Sequence, residues 1–381
     1  MDVARLRWSW GLAQQVGDEA ALHFYSTLFL KHPETRNLFP IGMAAQRDKL
    51  LGALGHIVSN VDVTGELLPF VQQLGRDHRK FGVIAEHFPA VGDALVSTLA
   101  YFLGDQWTDE LAQDWTEAFG VVAKVMIEAA EESARSTPPW WEAEVVRHDL
   151  RSLNVAVLHV RPNATFDYLP GQSTAVECHL RPREWRFLSP ATMPRSDGMI
   201  EFHVKHVAGG KVSAALVHSI RVGDVLRMGA AVGRRLTLPP GGTDDLLLIA
   251  GGTGLAPLKA IVEQVAAEGG RRRVHLFAGA RTERDLYDVK ALAQMANEWS
   301  WLTVVPTISD DPYATQLERG TAGEVAARGG AWREHDVYIC GHDAMVQETF
   351  ESLTRSGTSP QRIKFESFHT WNTPVYSGGA T

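Results

Sequence analysis

The sequence predicts a multidomain chain: an all-α domain over residues 1–136, a small antiparallel β-barrel over 143–240, and an α/β domain with a parallel sheet over 241–381. Three observations carry this expectation. Apolar residues recur at three and four up to Arg135, short β-branched runs divided by Pro and Gly follow, and buried-strand runs then alternate with helical stretches. The length of 381 residues, set against roughly 150 per domain, agrees with two or three packed units.

In the first part, Leu22, Tyr25 and Phe29 fall on one helical face, and Gln46, Leu50, Leu54 and Ile57 on another. The His32-Pro33 and Phe39-Pro40 steps break the chain between them. Thr108 before Asp109 and Glu110 is an N-cap signal with acids in the first turn, opening a long helix toward Ser133. Pro138-Pro139 cannot continue that helix, which places a domain boundary there. Val155–Val160, Ala175–Leu180, Ile200–Val207 and Val225–Met228 then read as the barrel strands. The runs at Leu246–Ala250, Val274–Phe277, Leu302–Val305 and Val337–Ile339 read as buried parallel strands.

With 45% apolar and 22% charged residues the chain has enough apolar surface to fold, which excludes a disordered chain. A net charge of -8 supplies no general field for neutralising phosphates, so nucleic acid is not an expected partner. Two cysteines, Cys178 and Cys340, are too few for a disulfide framework or a thiolate cluster and fit a reducing compartment. The longest apolar runs fall short of the roughly 20 residues of a membrane span, and the N-terminus lacks a signal-peptide pattern. A cytoplasmic protein without a membrane span is the expectation.

Gly251-Gly252-Thr253-Gly254-Leu255 follows a strand and opens a helix. Glycines there permit close backbone approach, and the helix start offers free amides to a pyrophosphate. The pattern alone also fits a merely tight turn; the strand context and a second strand-end turn at Cys340-Gly341 favour a dinucleotide.

The order of barrel, glycine turn, Cys-Gly turn and a terminal strand ending in an aromatic resembles the ferredoxin-reductase superfamily of FAD and NAD(P)H enzymes. Arg186-Phe187-Leu188-Ser189 resembles its flavin motif Arg-x-Tyr-Ser, with Leu188 where that family has the tyrosine that packs on the flavin ring. The resemblance implies Arg186 on the pyrophosphate and Ser189 on the isoalloxazine edge. Pro170-Gly171-Gln172 resembles an entry to a barrel strand that family members often follow with tyrosine, here Ser173. Gly209-Gly210-Lys211-Val212-Ser213 resembles a second pyrophosphate turn, implying Gly210, Val212 and Ser213 in cofactor binding. Glu366 and Phe368 in the last strand resemble the residues lining the flavin and nicotinamide site. For Phe368, ordinary core packing is nearly as good a reading.

His23-Phe24-Tyr25 followed by Pro33–Phe39 resembles the flavohemoglobin globin domain, so the resemblance spans essentially the whole chain. It implies Tyr25 and Gln46 as distal donors, Phe39 and Leu50 as apolar groups against the haem, and His78 as the iron ligand. Imidazole is the usual axial ligand of a globin haem, and distal donors stabilise charge on bound dioxygen. Tyr25 on an inward face can equally pack its ring and bond a carbonyl, whereas Gln46 on an apolar stripe would otherwise be a costly buried amide.

The family holds its ligand histidine with a tyrosine and a glutamate; Phe88 and Ala130 stand at those positions here. Glu128 and Glu131 point roughly 100° or more away from Ala130 on a helix, so His78 is expected to bond a backbone carbonyl instead. This resembles a second flavohemoglobin subclass that lacks the proximal pair. The implied activity is nitric oxide dioxygenation with haem b, FAD and NAD(P)H, in which dioxygen and nitric oxide are the small-molecule substrates and nitrate the product. Two rivals are a haem-based oxygen or redox sensor with a built-in reductase, and an oxidase drawing electrons from a small hydroxy acid. Arg281 and Arg284 either meet a 2'-phosphate or pair with Glu283, Asp285 and Asp288, leaving NADH and NADPH both open.

Overall fold

The computed structural model describes residues 1–311, 317–330 and 332–368, which divide into two compact units meeting in sequence at Trp140 and Trp141. The first unit is helical: α1 (Val3–Lys31), α2 (Ala44–Ser59), α3 (Thr64–His78), α4 (Phe88–Leu103) and α5 (Asp109–Ala134). Its boundaries have local causes. Asp2 caps α1 by accepting from the Ala4 and Arg5 amides, and the Thr108 side chain accepts from the Leu111 amide at the start of α5. Pro33 opens a short 3-10 turn, Pro33–Leu38, that separates α1 from α2.

Two apolar clusters hold this unit. Leu6, Trp10, Phe24, Tyr25, Leu28, Leu95 and Trp115 form the larger, with Phe29, Phe39 and Leu50 packed on it. Phe70, Val71 and Met126 form the smaller, joined by Leu74 and Phe88. Leu22 departs from its predicted face: it is exposed, because the inward stripe of α1 runs through Ala21, Phe24, Tyr25 and Leu28.

The second unit begins with β1 (Trp141–Ser152), β2 (Val155–Pro162), β3 (Ser173–Cys178), β4 (Arg186–Leu188), β5 (Ile200–Lys205), α6 (Lys211–His218) and β6 (Val225–Val232). The six strands pair antiparallel in the order β4-β3-β6-β1-β2-β5. A bridge from Pro190, two residues past β4, to Phe202 on β5 joins the two edges, so the sheet closes as a barrel. Its core is Val145, Ala156, Leu158, Val176, Phe202, Leu226 and Met228. β1 and β4 went unrecognised in the sequence: the outward residues of β1 are charged, and β4 is only three residues long.

Beyond it follow β7 (Leu246–Gly251), α7 (Leu255–Ala267), β8 (Val274–Ala280), α8 (Val289–Glu298), β9 (Leu302–Ile308), β10 (Glu318–Arg319), α9 (Ala322–Gly329), β11 (Asp336–Gly341), α10 (Asp343–Arg355) and β12 (Ile363–Ser367). The strands are parallel in the order β10-β9-β8-β7-β11-β12, with buried clusters on both faces of the sheet. The strand order reverses next to β7, which brings the ends of β7 and β11 to the crevice where ligands of open α/β sheets bind. No helix among the described residues is long and apolar enough to cross a membrane.

Candidate functional site

In the helical unit, Tyr25 lies buried on α1, and its hydroxyl donates to the Gln46 backbone carbonyl on α2 at 3.4 Å. The Phe39 ring meets the Tyr25 ring edge-on, 5.4 Å between centroids, and Leu50 packs on the same cluster. Burial pushes the Tyr25 phenol up, so it stays a neutral donor across the physiological range. Gln46 is half-buried, so its amide is under less desolvation pressure than its stripe implied.

His78 is the last residue of α3, and its Nδ1 lies 2.7 Å from the Leu74 carbonyl oxygen one turn back. A carbonyl only accepts, so Nδ1 carries the proton and Nε2 is left as a lone-pair donor suited to a metal. Burial holds the imidazole below its ordinary pKa, which keeps that lone pair free. Phe88 packs in the small cluster with Leu74, and Ala130 is half-buried while Glu128 and Glu131 are exposed. Glu128 faces Lys124 at 3.9 Å. The backbone carbonyl of Leu74 is therefore the partner of His78, as the sequence led us to expect.

Gly75, which sequence reasoning passed over, fixes the helix that carries His78. A Cβ there would stand 2.2 Å from the Met126 carbonyl oxygen, so only glycine allows α3 to cross α5 this closely.

In the second unit the barrel brings Ser173, Leu188 and Arg186 onto neighbouring strands, with Thr174 paired to Leu188 and Val176 to Arg186. The Arg186 guanidinium is exposed and donates to the Trp185 carbonyl at 2.9 Å. Ser189 is half-buried beside it. Ser173 is buried and its hydroxyl has no partner among the described residues, which leaves a polar atom that a bound cofactor can satisfy. Gly210 caps α6; Ser213 Oγ donates to the Gly210 carbonyl at 3.1 Å and accepts from the Val207 amide, while Val212 anchors the turn in the core.

At the end of the parallel sheet, Gly251 closes β7, Gly252–Gly254 makes a 3-10 turn, and Leu255 starts α7. Gly254 passes so close to Cys340 that a Cβ would sit 2.2 Å from the Cys340 carbonyl oxygen. Thr253 is half-buried in the turn, and Gly341 ends β11 opposite it. Glu366 pairs in register with Cys340. One oxygen of Glu366 is buried without a hydrogen-bond partner among the described residues, and burial, partly offset by Arg235, pushes its carboxyl up to about 7. Phe368 follows β12 with its amide donating to the Gly341 carbonyl; at 42% exposure it is not core packing. A cleft lined by Gly252, Leu255, Gly279, Asp285, Tyr287 and Pro306 opens beside the glycine turn. The Arg281 and Arg284 guanidinium groups have no ion pair with Glu283, Asp285 or Asp288; Asp285 instead caps its own turn through Thr282.

A buried Glu201, His203, Lys259 and Asp288 cluster was also missed. Its signal was present: Lys259 interrupts the apolar run Leu255–Val262.

Comparison with known proteins gives these sites their setting. Three family descriptions match in succession: Globin over residues 22–126, Oxidoreductase FAD-binding domain over 140–235 and Oxidoreductase NAD-binding domain over 248–350. The chain is 24% identical to a flavohemoprotein of Bacillus subtilis, covering 93% of each, and 28% identical to one of Bordetella parapertussis, covering 93% of this chain and 94% of that one. The chain belongs to the flavohemoglobin family. A flavohemoglobin from Malassezia yamatoensis, solved with bound FAD and haem, shares its fold with a TM-score of 0.77 at 19% identity, over 96% of this chain and 98% of that one. The helical unit is thus the globin domain of a flavohemoglobin, the antiparallel barrel its FAD domain and the parallel sheet its NAD domain.

Proposed function

We propose that this flavohemoglobin is a nitric oxide dioxygenase, consuming NAD(P)H, dioxygen and nitric oxide and yielding nitrate. The observation that carries the reading is one chain holding an Nε2-free histidine in a globin domain ahead of a flavin barrel and a nucleotide turn. When bound, FAD supplies the conversion of a two-electron hydride into single electrons, and haem supplies the centre at which the two gases combine.

The residues take the following parts. His78 would hold the iron through Nε2, with the Leu74 carbonyl fixing its ring and tautomer. Phe39 and Leu50 close the haem face against water, and Tyr25 and Gln46 present the distal donors. Ser173, Arg186, Leu188, Ser189 and the Gly210–Ser213 turn would hold the flavin. Gly251–Leu255, Cys340 and Gly341 hold the nicotinamide nucleotide, and Phe368 shields the flavin. Glu366, held near neutrality, is placed to exchange a proton there. The functional divisions are 1–136, 143–240 and 241–381.

Phe88, Ala130 and the His78–Leu74 bond support membership of the subclass without the proximal tyrosine and glutamate. A carbonyl partner leaves the imidazole more neutral than a carboxylate would, so the histidine would be a weaker electron donor to a bound iron. The test of the activity is to mix the reduced, oxygenated protein with nitric oxide. Stoichiometric nitrate is expected; its absence rejects the assignment.

A further inference from the structure

Five charged or polar side chains from three parts of the chain meet in the interior of the reductase unit. Glu201 and His203 come from β5 of the barrel, Lys259 from α7, and Tyr287 and Asp288 from the segment between β8 and α8. Lys259 Nζ donates to Glu201 Oε1 and to Asp288 Oδ2, both at 2.8 Å. His203 Nε2 lies 2.7 Å from the same Glu201 oxygen, and its Nδ1 lies 2.8 Å from the Tyr287 hydroxyl. His159 on β2 faces the other Glu201 oxygen at 3.8 Å.

Taking such charges out of water costs several kcal/mol each, repaid only when every partner is in place, so a buried ion network adds little net stability and demands one geometry. Burial alone would neutralise both ends. Asp288 and Glu201 nevertheless hold the Lys259 ammonium above its ordinary value, and His203 and Lys259 hold the Glu201 carboxyl below its own. Lys259 and Glu201 are thus both charged, and the network joins two domains. Its nucleotide-side members are also placed at the site: Lys259 lies one turn past Leu255 on the helix that the glycine turn opens, and Tyr287 and Asp288 line the cleft beside Gly252.

We infer that the Glu201–Lys259–Asp288 bridge with the His203–Tyr287 contact is a positioning device that fixes the FAD barrel against the NAD domain and so sets the approach of nicotinamide to flavin. It rests on the reading of those two domains given above. A geometry lost by about 1 Å costs on the order of 100-fold in a transfer step without requiring loss of binding. Lys259 and its partners are positioning residues: they act through the elements that carry the cofactors.

The test uses the full-length, cofactor-loaded protein and three variants. K259M leaves two carboxylates facing each other without their cation, K259R restores a cation, and Y287F removes one hydroxyl while keeping its ring. Spin labels on cysteines introduced at exposed Leu153 and Glu298 report the separation of barrel and nucleotide domain; native Cys178 and Cys340 are buried. The expected result for K259M is a broadened distance distribution and anaerobic flavin bleaching by NAD(P)H slowed at least tenfold, with NAD(P)+ dissociation constants changed less than threefold. K259R recovers part of both and Y287F shows a smaller change in the same direction. Unchanged distances and bleaching rates in K259M overturn the inference, as does a Y287F protein indistinguishable from the parent where K259M does not fold. Failure of the parent protein itself to be bleached would instead overturn the reductase reading.

Discussion

Gly254 and Cys340 approach so closely that a methyl group on the glycine would lie 2.2 Å from the cysteine's carbonyl oxygen. The nucleotide turn is thereby pressed against the end of β11, and the two strand-end turns behave as one rigid cradle. G254A adds that Cβ alone, and backbone cannot yield as a flexible side chain would. Its expected effect is a loss of about 1–3 kcal/mol in stability and at least tenfold weaker NAD(P)+ binding, read by thermal unfolding and titration calorimetry. At Gly252 a Cβ meets nothing within 4 Å, and the penalty there comes only from the left-handed φ of +56°. G252A should therefore cost less, about 1 kcal/mol. Equal effects of the two substitutions would show that crowding against Cys340 is not what shapes the turn.

The Tyr25 hydroxyl is held 3.4 Å from the Gln46 carbonyl, a long hydrogen bond that a better acceptor in the same space can replace. Y25F removes the donor and keeps the ring packed against Phe24, Phe29 and Phe39. Loss of one hydrogen bond to a charged acceptor, about 1.5 kcal/mol, is expected to speed dioxygen release from the ferrous protein roughly tenfold, with no loss of haem. Rapid-mixing measurement of the release rate checks this; an unchanged rate would confine Tyr25 to packing.

How much of this was legible in sequence follows the reach of each signal. Periodicity over long elements located the α5 helix from Thr108 and the buried strands Leu246–Gly251 and Val337–Gly341, because one residue pattern repeats over many positions. The glycine turn and a backbone-carbonyl partner for His78 were likewise readable, the first from its strand context and the second from the absence of any side-chain partner in helical register; that the carbonyl is Leu74's came from the structure. What escaped depends on pairs distant in sequence. Gly75 is informative only because Met126 crosses it, and Lys259 only because Glu201 and Asp288 converge on it. Tertiary contact, which periodicity does not encode, also moved Gln46 to a half-buried position and left Leu22 outside the core.

The raised Glu366 carboxyl sets a pH dependence whose sign can be worked out. Burial pushes its pKa from the ordinary 4.5 to about 7, with Arg235 pulling the other way. Between those values the folded protein binds more protons at this site than the unfolded chain, so stability falls as pH rises through the interval and levels off above about 7. At 1.36 kcal/mol per pKa unit the whole effect is at most about 3 kcal/mol. E366Q cannot ionise. Measured by chemical denaturation, its stability relative to the parent should rise between about pH 4.5 and pH 7 and be flat above that. A difference independent of pH would mean that Glu366 ionises in the folded protein as freely as in the unfolded chain.

The hydrogen bond from His78 to Leu74 can be separated from the metal-binding role of the same ring by chemical rescue. H78G removes the imidazole and leaves a cavity, so the purified variant should lack the intense haem absorption of the parent. Added imidazole can enter, present one nitrogen to iron and donate its N–H to the Leu74 carbonyl as His78 Nδ1 does at 2.7 Å. 1-Methylimidazole offers the same lone pair without the N–H. Leaving the carbonyl unpaired costs about 1–1.5 kcal/mol, so imidazole is expected to restore haem binding at roughly tenfold lower concentration than its methylated analogue. Equal potency would show that the carbonyl contributes nothing to holding the ligand, and persistence of the parent spectrum in H78G without any addition would remove His78 from the iron altogether.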